Sequence, residues 1–136
     1  MKFSIIIPVY NEENTLKKKY SFLQWLKTEL AAELIIIDGK SDDNTFVIAE
    51  TLTENVYQCD KSRSNQLNIG AGYATGEILI FLHADTYLNK KAVNGILNLT
   101  DKFKWGFFNI KLDSEELKYK ILSYCINLRS KLFKYG

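Results

Sequence analysis

The stretch Glu77-Ile-Leu-Ile-Phe-Leu-His-Ala-Asp85-Thr86 decides how this chain folds. Its apolar residues, Ile78 to Leu82, run without interruption from just after Gly76 to the polar sequence His83-Ala84-Asp85. A short apolar run between turn signals predicts a strand that is buried on both faces. Because ligands bind beyond the carboxyl ends of strands in open α/β sheets, we expect His83 and Asp85 to lie at a functional edge, as candidate metal ligands.

Strands and helices alternate along the rest of the chain. We predict strands at 3–9, 34–37 and 56–58, and helices ending near 30 and 53 and spanning 65–74 and 89 to about 100. Asn11 or Asn14 is expected to cap the first helix, and Ser41 or Asp42 the second. The apolar face of the first helix comprises Leu16, Tyr20, Leu23, Leu26 and Leu30. This order predicts a single α/β domain over residues 1–136, with a mainly parallel sheet and helices on both faces.

Two segments follow these alternating elements. Residues 105–112 have strand propensity, and a last helix is expected to present an apolar face. The members of that face are Leu117, Ile121, Tyr124, Leu128 and Leu132.

Composition is that of an ordinary soluble globular protein, with 46% hydrophobic and 25% charged residues. The net charge of +2 gives no electrostatic case for binding nucleic acid. No apolar stretch is long enough to span a bilayer, and the apolar start before Pro8 is too short for a signal peptide. Cys59 and Cys125 lack metal-type spacing, so we expect thiols in a reducing cytoplasm rather than a disulfide.

Polar clusters follow three of the predicted strands, at 8–12, 38–43 and 83–85. Parallel strands bring their carboxyl ends to one edge, so these clusters are expected to converge. Acids gathered there repel one another unless a cation or a hydrogen-bond donor lies between them. Asp42 and Asp43 are interpreted as helix caps rather than ligands, and Gln66 and Asn68 as polar helix positions.

Four motifs in order carry a resemblance to a known family: IIIPVYNEE (5–13), IDGKSDDNT (37–45), RSNQLNIGA (63–71) and FLHADT (81–86). They resemble the family 2 glycosyltransferases of the GT-A fold, a Rossmann-like nucleotide-diphospho-sugar transferase fold. The match is best to a small cytosolic subgroup with a His-Ala-Asp-Thr metal motif. WGFF (105–108) and NLRS (127–130) are similar to the same subgroup, so the resemblance covers roughly residues 3–132.

The resemblance implies donor-binding roles for Pro8, Tyr10, Glu12, Asp38, Arg63 and Asp85. The first three would lie against the base and ribose, and Asp38 would accept a hydrogen bond from the base. Arg63 would contact the diphosphate, where a guanidinium can make a forked contact. Asp85 would hold Mn²⁺ or Mg²⁺, with His83 in place of the commoner first acid. Imidazole favours Mn²⁺ over Mg²⁺; the alternative is that His83 only hydrogen-bonds phosphate.

The implied activity is inverting, metal-dependent sugar transfer from a nucleotide-diphosphate donor to an unknown acceptor. In the family a later half binds the acceptor and supplies a general base. The sequence ends at Gly136 before such a segment, so we expect the chain to carry mainly the donor-binding half and assign no catalytic residue. The alternative is a non-catalytic nucleotide- or nucleotide-sugar-binding module, or a truncated, inactive transferase.

Two expectations concern partners. Uncovered apolar surface near Phe107 and Phe108 predicts self-association through that region. Peripheral association with a membrane stays open, although no transmembrane segment is expected.

Overall fold

The computed structural model describes residues 2–99, 106–109, 111, 120, 121, 123, 124 and 127. The chain divides into two compact units, Met1–Asn89 and Lys90–Gly136. The expectation of a single domain over residues 1–136 stays a prediction.

The first unit contains four strands and three helices in strict alternation. They are β1 (Phe3–Val9), α1 (Glu13–Glu29), β2 (Glu33–Asp38), α2 (Thr45–Leu52), β3 (Asn55–Gln58), α3 (Arg63–Tyr73) and β4 (Ile78–Phe81). The second unit contains α4 (Lys90–Leu97). The predicted order of elements in the first unit is confirmed, with boundaries that differ by a few residues.

The four strands form one parallel sheet in the order β3-β2-β1-β4. The chain first moves outward from β1 to β3 and then returns past β1 to β4. With right-handed crossovers this reversal places α1 and α2 on one face and α3 on the other. The parallel α/β architecture predicted from the sequence is confirmed.

The central strands are held by burial on both faces. Ile5, Ile6 and Ile7 of β1 are completely buried, and 34–37 of β2 are buried with them. Unbroken runs of β-branched and other apolar side chains suit such a position because helices cover both sides of the strand. On the α3 side, the core is built from Ile6, Ile35 and Ile37.

Helix α1 differs in two ways from its predicted form. Tyr20 is 37% exposed and Lys19 is buried in its place, while the four leucines of the predicted stripe are buried. Neither Asn11 nor Asn14 caps the helix, because its first turn follows Glu12 without a side-chain cap. Asn11 instead has a φ of 52° and uses its side chain in the neighbouring loop.

Strand β4 is exposed on one face, so the prediction of burial on both faces is wrong. Leu79 and Phe81 are 37% and 52% exposed. They pair in register with Ser4 and Ile6, and therefore lie on the face of the sheet that α3 covers. Helix α3 packs over β1 and β2, so this face of β4 is exposed in the part of the chain that the structure describes.

Close packing of α3 depends on a glycine. A Cβ atom on Gly70 would lie 2.4 Å from Cγ2 of Ile6 and 3.2 Å from Cγ1 of Ile37. Ordinary carbon contacts are about 3.5–4.0 Å, so only glycine allows this approach. Helix α3 therefore makes its closest approach to the sheet at Gly70.

In the second unit, the described residues 106–109 form no strand, and Phe107 and Phe108 are 42% and 46% exposed. Ile121 and Tyr124 are helical and also exposed. The remaining residues of the predicted strand and of the last apolar face lie largely outside the described residues, namely Trp105, Ile110, Leu112, Leu117, Leu128 and Leu132. Within the described part of the chain, no helix has the length and apolarity needed to cross a membrane.

Candidate functional site

A cleft of about 230 Å³ lies at the carboxyl ends of β1 and β4. These strands are neighbours in the sheet, and the order in which the chain adds strands reverses between them; ligands of open α/β sheets bind at such a switch point. Three segments supply the lining: Pro8, Val9, Tyr10 and Glu12 at the end of β1 and in the loop after it; Lys61, Arg63 and Gln66 just before and in the first turn of α3; and His83, Ala84 and Asp85 after β4.

The cleft brings together six of the seven side chains singled out from the sequence. Pro8, Tyr10, Glu12, Arg63, His83 and Asp85 line it. Asp38 does not line it. Its side chain is completely buried, and its carboxylate accepts hydrogen bonds from the Ser41 amide, the Ser41 hydroxyl and the Gln58 side-chain amide. Asp38 therefore stabilises the loop after β2, and direct contact with a ligand stays a prediction.

The loops after β1 and β2 lock each other in place. The Asn11 amide donates to the Ser41 hydroxyl at 2.9 Å, and the Asn11 side chain accepts from the Asp42 amide at 2.9 Å. One residue on, the Glu12 amide donates to the Thr45 hydroxyl at 2.8 Å. The left-handed backbone at Asn11 permits this exchange, since asparagine tolerates that conformation better than most residues. The lock fixes the turn that presents Tyr10 and Glu12 to the cleft.

Acidic residues behind these loops perform structural tasks. Asp43 accepts hydrogen bonds from the amide and hydroxyl of Thr45 and so closes the turn that leads into α2. Burial acts to raise the pKa of Asp43, but these hydrogen bonds outweigh it and hold the pKa below its usual range. Glu13 accepts from Lys17, which lowers its pKa, and also from the Asn44 amide. Helix α2 starts after Asn44 without a side-chain cap from the described residues, so the expectation that Ser41, Asp42 or Asp43 caps it is wrong.

Lys61 is a cleft residue that was not singled out from the sequence. Its ammonium lies 3.6 Å from the centroid of the Tyr10 ring, within range of a cation–π interaction. The available signal was its position two residues before Arg63 in a polar loop. The cleft is thus lined by the cations Lys61 and Arg63 and by the carboxylates of Glu12 and Asp85.

Gln66 ties α3 to the ends of two strands. Its side-chain amide donates to the carbonyl of Val9 at 2.9 Å and to that of Ile37 at 2.8 Å, and it is almost completely buried. Gln66 is thus more than a polar helix position, whereas Asn68 is exposed as expected. By anchoring the first turn of α3, Gln66 holds Arg63 at the cleft. No side chain caps this helix end, so its amide groups and positive dipole end remain available to an anion.

His83 and Asp85 follow β4 on an exposed turn, closed by a 3.0 Å hydrogen bond from the Thr86 amide to the His83 carbonyl. One Asp85 oxygen accepts from the Thr86 hydroxyl at 3.3 Å, which is a long contact. Among the described residues, no group of three or more His, Cys, Asp or Glu side chains could hold a metal. A cation at this turn would therefore have at most two of these described side chains as ligands and would need the rest from a bound molecule or water.

The single described cysteine, Cys59, is a free thiol. Burial raises its pKa, and the neighbouring charges of Asp60 and Asp38 raise it further. A raised pKa makes a thiol less reactive, which fits a structural side chain. Cys125 lies outside the described residues.

Comparison with known proteins matches residues 4–120 to the sequence profile of glycosyl transferase family 2. The chain belongs to glycosyl transferase family 2. This confirms the family that the four motifs indicated.

Two named glycosyltransferases match this chain at modest sequence identity. The chain is 29% identical over 122 residues to poly(ribitol-phosphate) beta-N-acetylglucosaminyltransferase TarS of Staphylococcus aureus, covering 82% of this chain and 21% of TarS. It is 33% identical over 96 residues to 4,4'-diaponeurosporenoate glycosyltransferase of Staphylococcus haemolyticus, covering 65% of this chain and 25% of that protein. The chain thus spans about a fifth to a quarter of the length of these relatives.

The crystal structure of S. aureus TarS 1–349 in complex with UDP is similar in fold, with a TM-score of 0.57 and 29% identity. The alignment covers 71% of this chain and 31% of the TarS chain. Together with the parallel sheet, this similarity shows that the fold is of the GT-A type.

Proposed function

We propose that this chain forms the donor-binding part of a glycosyltransferase, and that its cleft binds the nucleoside diphosphate of a sugar donor. One observation carries the proposal: three segments far apart in the sequence deliver an aromatic ring, two cations and two carboxylates to one cleft at the switch point of the sheet. Membership of family 2 and the likeness to a UDP-bound TarS structure support the same ligand class.

We assign the residues of the cleft to two parts of the donor, the nucleoside at a first end and the diphosphate at a second. Tyr10 offers a flat ring for a base, and Glu12 offers a carboxylate for ribose hydroxyls. Lys61, Arg63 and the uncapped start of α3 offer positive charge and amide donors for a diphosphate. Asp38 belongs to the first end as a positioning residue, because it holds the Ser41 hydroxyl that receives the Asn11 amide.

Mn²⁺ or Mg²⁺ is the proposed cofactor. Asp85 and His83 would hold it, and donor phosphate oxygens and water would complete its coordination, which fits an open turn with two ligands. Such a cation offsets the negative charge that develops on a departing nucleoside diphosphate. The reaction would break the bond between the sugar's anomeric carbon and the diphosphate oxygen. An acceptor hydroxyl would form the new bond from the opposite face and lose its proton to a base.

Calorimetric titration with UDP and GDP, each with Mn²⁺ and with EDTA, tests the proposal. We expect one of the nucleotides to bind and Asp85→Ala to abolish the Mn²⁺ dependence. Glu54→Ala is the matched control, because Glu54 is exposed just before β3, at the opposite end of the sheet. Absence of binding by both nucleotides would rule out the donor site.

Nucleotide binding without transfer is the second candidate function. Glu12 and Asp85 are the two carboxylates that line the cleft, and both are assigned to the donor. No further described acid lines the cleft to take a proton from an acceptor. Metal-dependent binding without release of UDP from UDP-sugars and an acceptor extract would favour this binding module, and sugar transfer would establish the enzyme.

A further inference from the structure

Lys19 of α1 is buried where the sequence pattern predicted that its neighbour Tyr20 would be. It lies on the buried stripe with Leu16, Leu23 and Leu26, and only 5% of it is exposed. Within the described part of the chain its ammonium is buried without a hydrogen-bond partner. Burying such a group costs free energy that an apolar side chain would not cost. Stability therefore does not explain this lysine.

The surroundings of Lys19 connect it to the turn that carries Asp85. Its ammonium lies 3.5 Å from the centroid of the Tyr87 ring, and 6.0 Å from that of Phe22. These two rings contact each other edge to face at 4.8 Å. Tyr87 is only two residues beyond Asp85, so Lys19 and Phe22 hold this segment against α1. The cation–π contact is the main partner that the described structure gives this buried charge.

Lys19 and Asp85 also interact through their charges. Burial lowers the pKa of Lys19, while the carboxylate of Asp85 acts in the opposite direction and favours the charged ammonium. Lys19 is not among the residues that line the cleft, so its charge acts on the cleft without direct contact with a ligand there. In the protein interior this charge is weakly screened and reaches several ångströms.

We propose that Lys19 is a positioning residue that places a fixed positive charge behind Asp85 and so shares the neutralisation of a bound diphosphate with the divalent cation. This inference rests on the proposed function. Two effects of opposite sign follow. The ammonium attracts a diphosphate, and it repels a divalent cation at Asp85. Loss of the charge should therefore weaken UDP binding without metal and increase the gain in UDP affinity that Mn²⁺ gives.

The test compares Lys19→Met with Lys18→Met. Methionine keeps an unbranched chain that packs against aromatic rings but removes the charge. Lys18 is the neighbouring exposed lysine on the same helix, so its variant removes an equal charge from the solvent side. UDP affinity is measured by calorimetry in EDTA and at several Mn²⁺ concentrations, and the unfolding temperature is measured for each protein.

We expect Lys19→Met to unfold at or above the wild-type temperature and to bind UDP about fivefold more weakly in EDTA. The factor by which saturating Mn²⁺ increases UDP affinity should be about fivefold larger for Lys19→Met than for the wild type. Lys18→Met should match the wild type in unfolding temperature, in UDP affinity in EDTA and in the effect of Mn²⁺. Lys19→Arg keeps the charge, so it should retain more UDP affinity in EDTA than Lys19→Met.

Three outcomes would overturn the inference. The first is unchanged UDP affinity of Lys19→Met with and without metal. The second is equal losses in the Lys19 and Lys18 variants. The third is a Lys19→Met protein that does not fold, or that unfolds more than about 5 °C below the wild type, because the charge would then serve stability. Failure of the wild type to bind UDP and GDP is a separate result, since it removes the proposed function itself.

Discussion

Two glycines of α3 lead to opposite predictions for the same substitution. A Cβ atom at Gly72 would meet nothing within 4 Å, whereas one at Gly70 would lie 2.4 Å from Cγ2 of Ile6. Replacing glycine by alanine inside a helix stabilises it by about 0.5–1 kcal/mol, because the unfolded chain loses conformational freedom. We expect Gly72→Ala to show this gain.

At Gly70 the same gain in stability is opposed by steric overlap between the new methyl group and the Ile6 side chain. The new methyl group would have to move by about 1 Å or more to reach an ordinary contact with Ile6, and Ile37 blocks a second direction at 3.2 Å. Overpacking of this kind costs about 1–3 kcal/mol. The two variants should therefore differ by about 1–3 kcal/mol in the free energy of unfolding, which corresponds to about 3–10 °C in unfolding temperature.

Thermal unfolding followed by circular dichroism, together with urea titration, measures this difference. Displacement of α3 should also move Arg63 and Gln66, so Gly70→Ala should weaken UDP binding while Gly72→Ala leaves it unchanged. Equal unfolding temperatures for the two variants would refute the close contact between α3 and β1.

Three further predictions test the support of the cleft. Gln66→Ala removes the hydrogen bonds to the Val9 and Ile37 carbonyls, so it should lower the free energy of unfolding by about 1–3 kcal/mol in urea titration. Asn68 is exposed, so the control variant Asn68→Ala should unfold with nearly the free energy of the wild type. Burial acts to raise the pKa of Glu33, but hydrogen bonds from Ser4, Thr75 and Gly76 outweigh it and lower the pKa from 4.5. Ionised Glu33 thus stabilises the fold above pH 4.5. In urea titrations, the free energy of unfolding of the wild type should exceed that of Glu33→Gln by less as the pH falls below that value. A difference that does not change with pH would contradict this prediction. We assign the Lys61 charge to the diphosphate, so Lys61→Met should weaken UDP binding in EDTA about threefold and leave uridine binding unchanged in calorimetry. Equal losses for both ligands would instead assign Lys61 to its contact with Tyr10 alone.

Several features of the fold were readable from local sequence. Strands β1 and β2 are unbroken apolar runs, and such runs between polar turns fit a strand covered on both faces. Alternation with helical segments then requires parallel pairing, because a helix returns the chain to the same end of the sheet. That rule alone brought the residues after β1 and β4 to one edge, which is why Tyr10, Glu12, His83 and Asp85 share the cleft.

The direction and partners of individual side chains were not readable in this way. Asp38 and Glu12 are both acids at the same edge of the sheet, at the end of β2 and in the loop after β1. Asp38 is buried and bonded to Ser41 and Gln58, whereas Glu12 lines the cleft. Which acid faces the cleft depends on the hydrogen bonds between two loops that are about thirty residues apart in the sequence. No local pattern encodes those contacts.

The sequence by itself determined the order of elements, the parallel sheet and the edge at which the polar residues meet, because burial and turn formation leave periodic signals in neighbouring residues. Tertiary structure decided that Gln66 clamps two strands, that Lys19 is buried against Tyr87, and that one face of β4 is open. These features arise from contacts between residues distant in the chain, and their energies depend on which element covers which face.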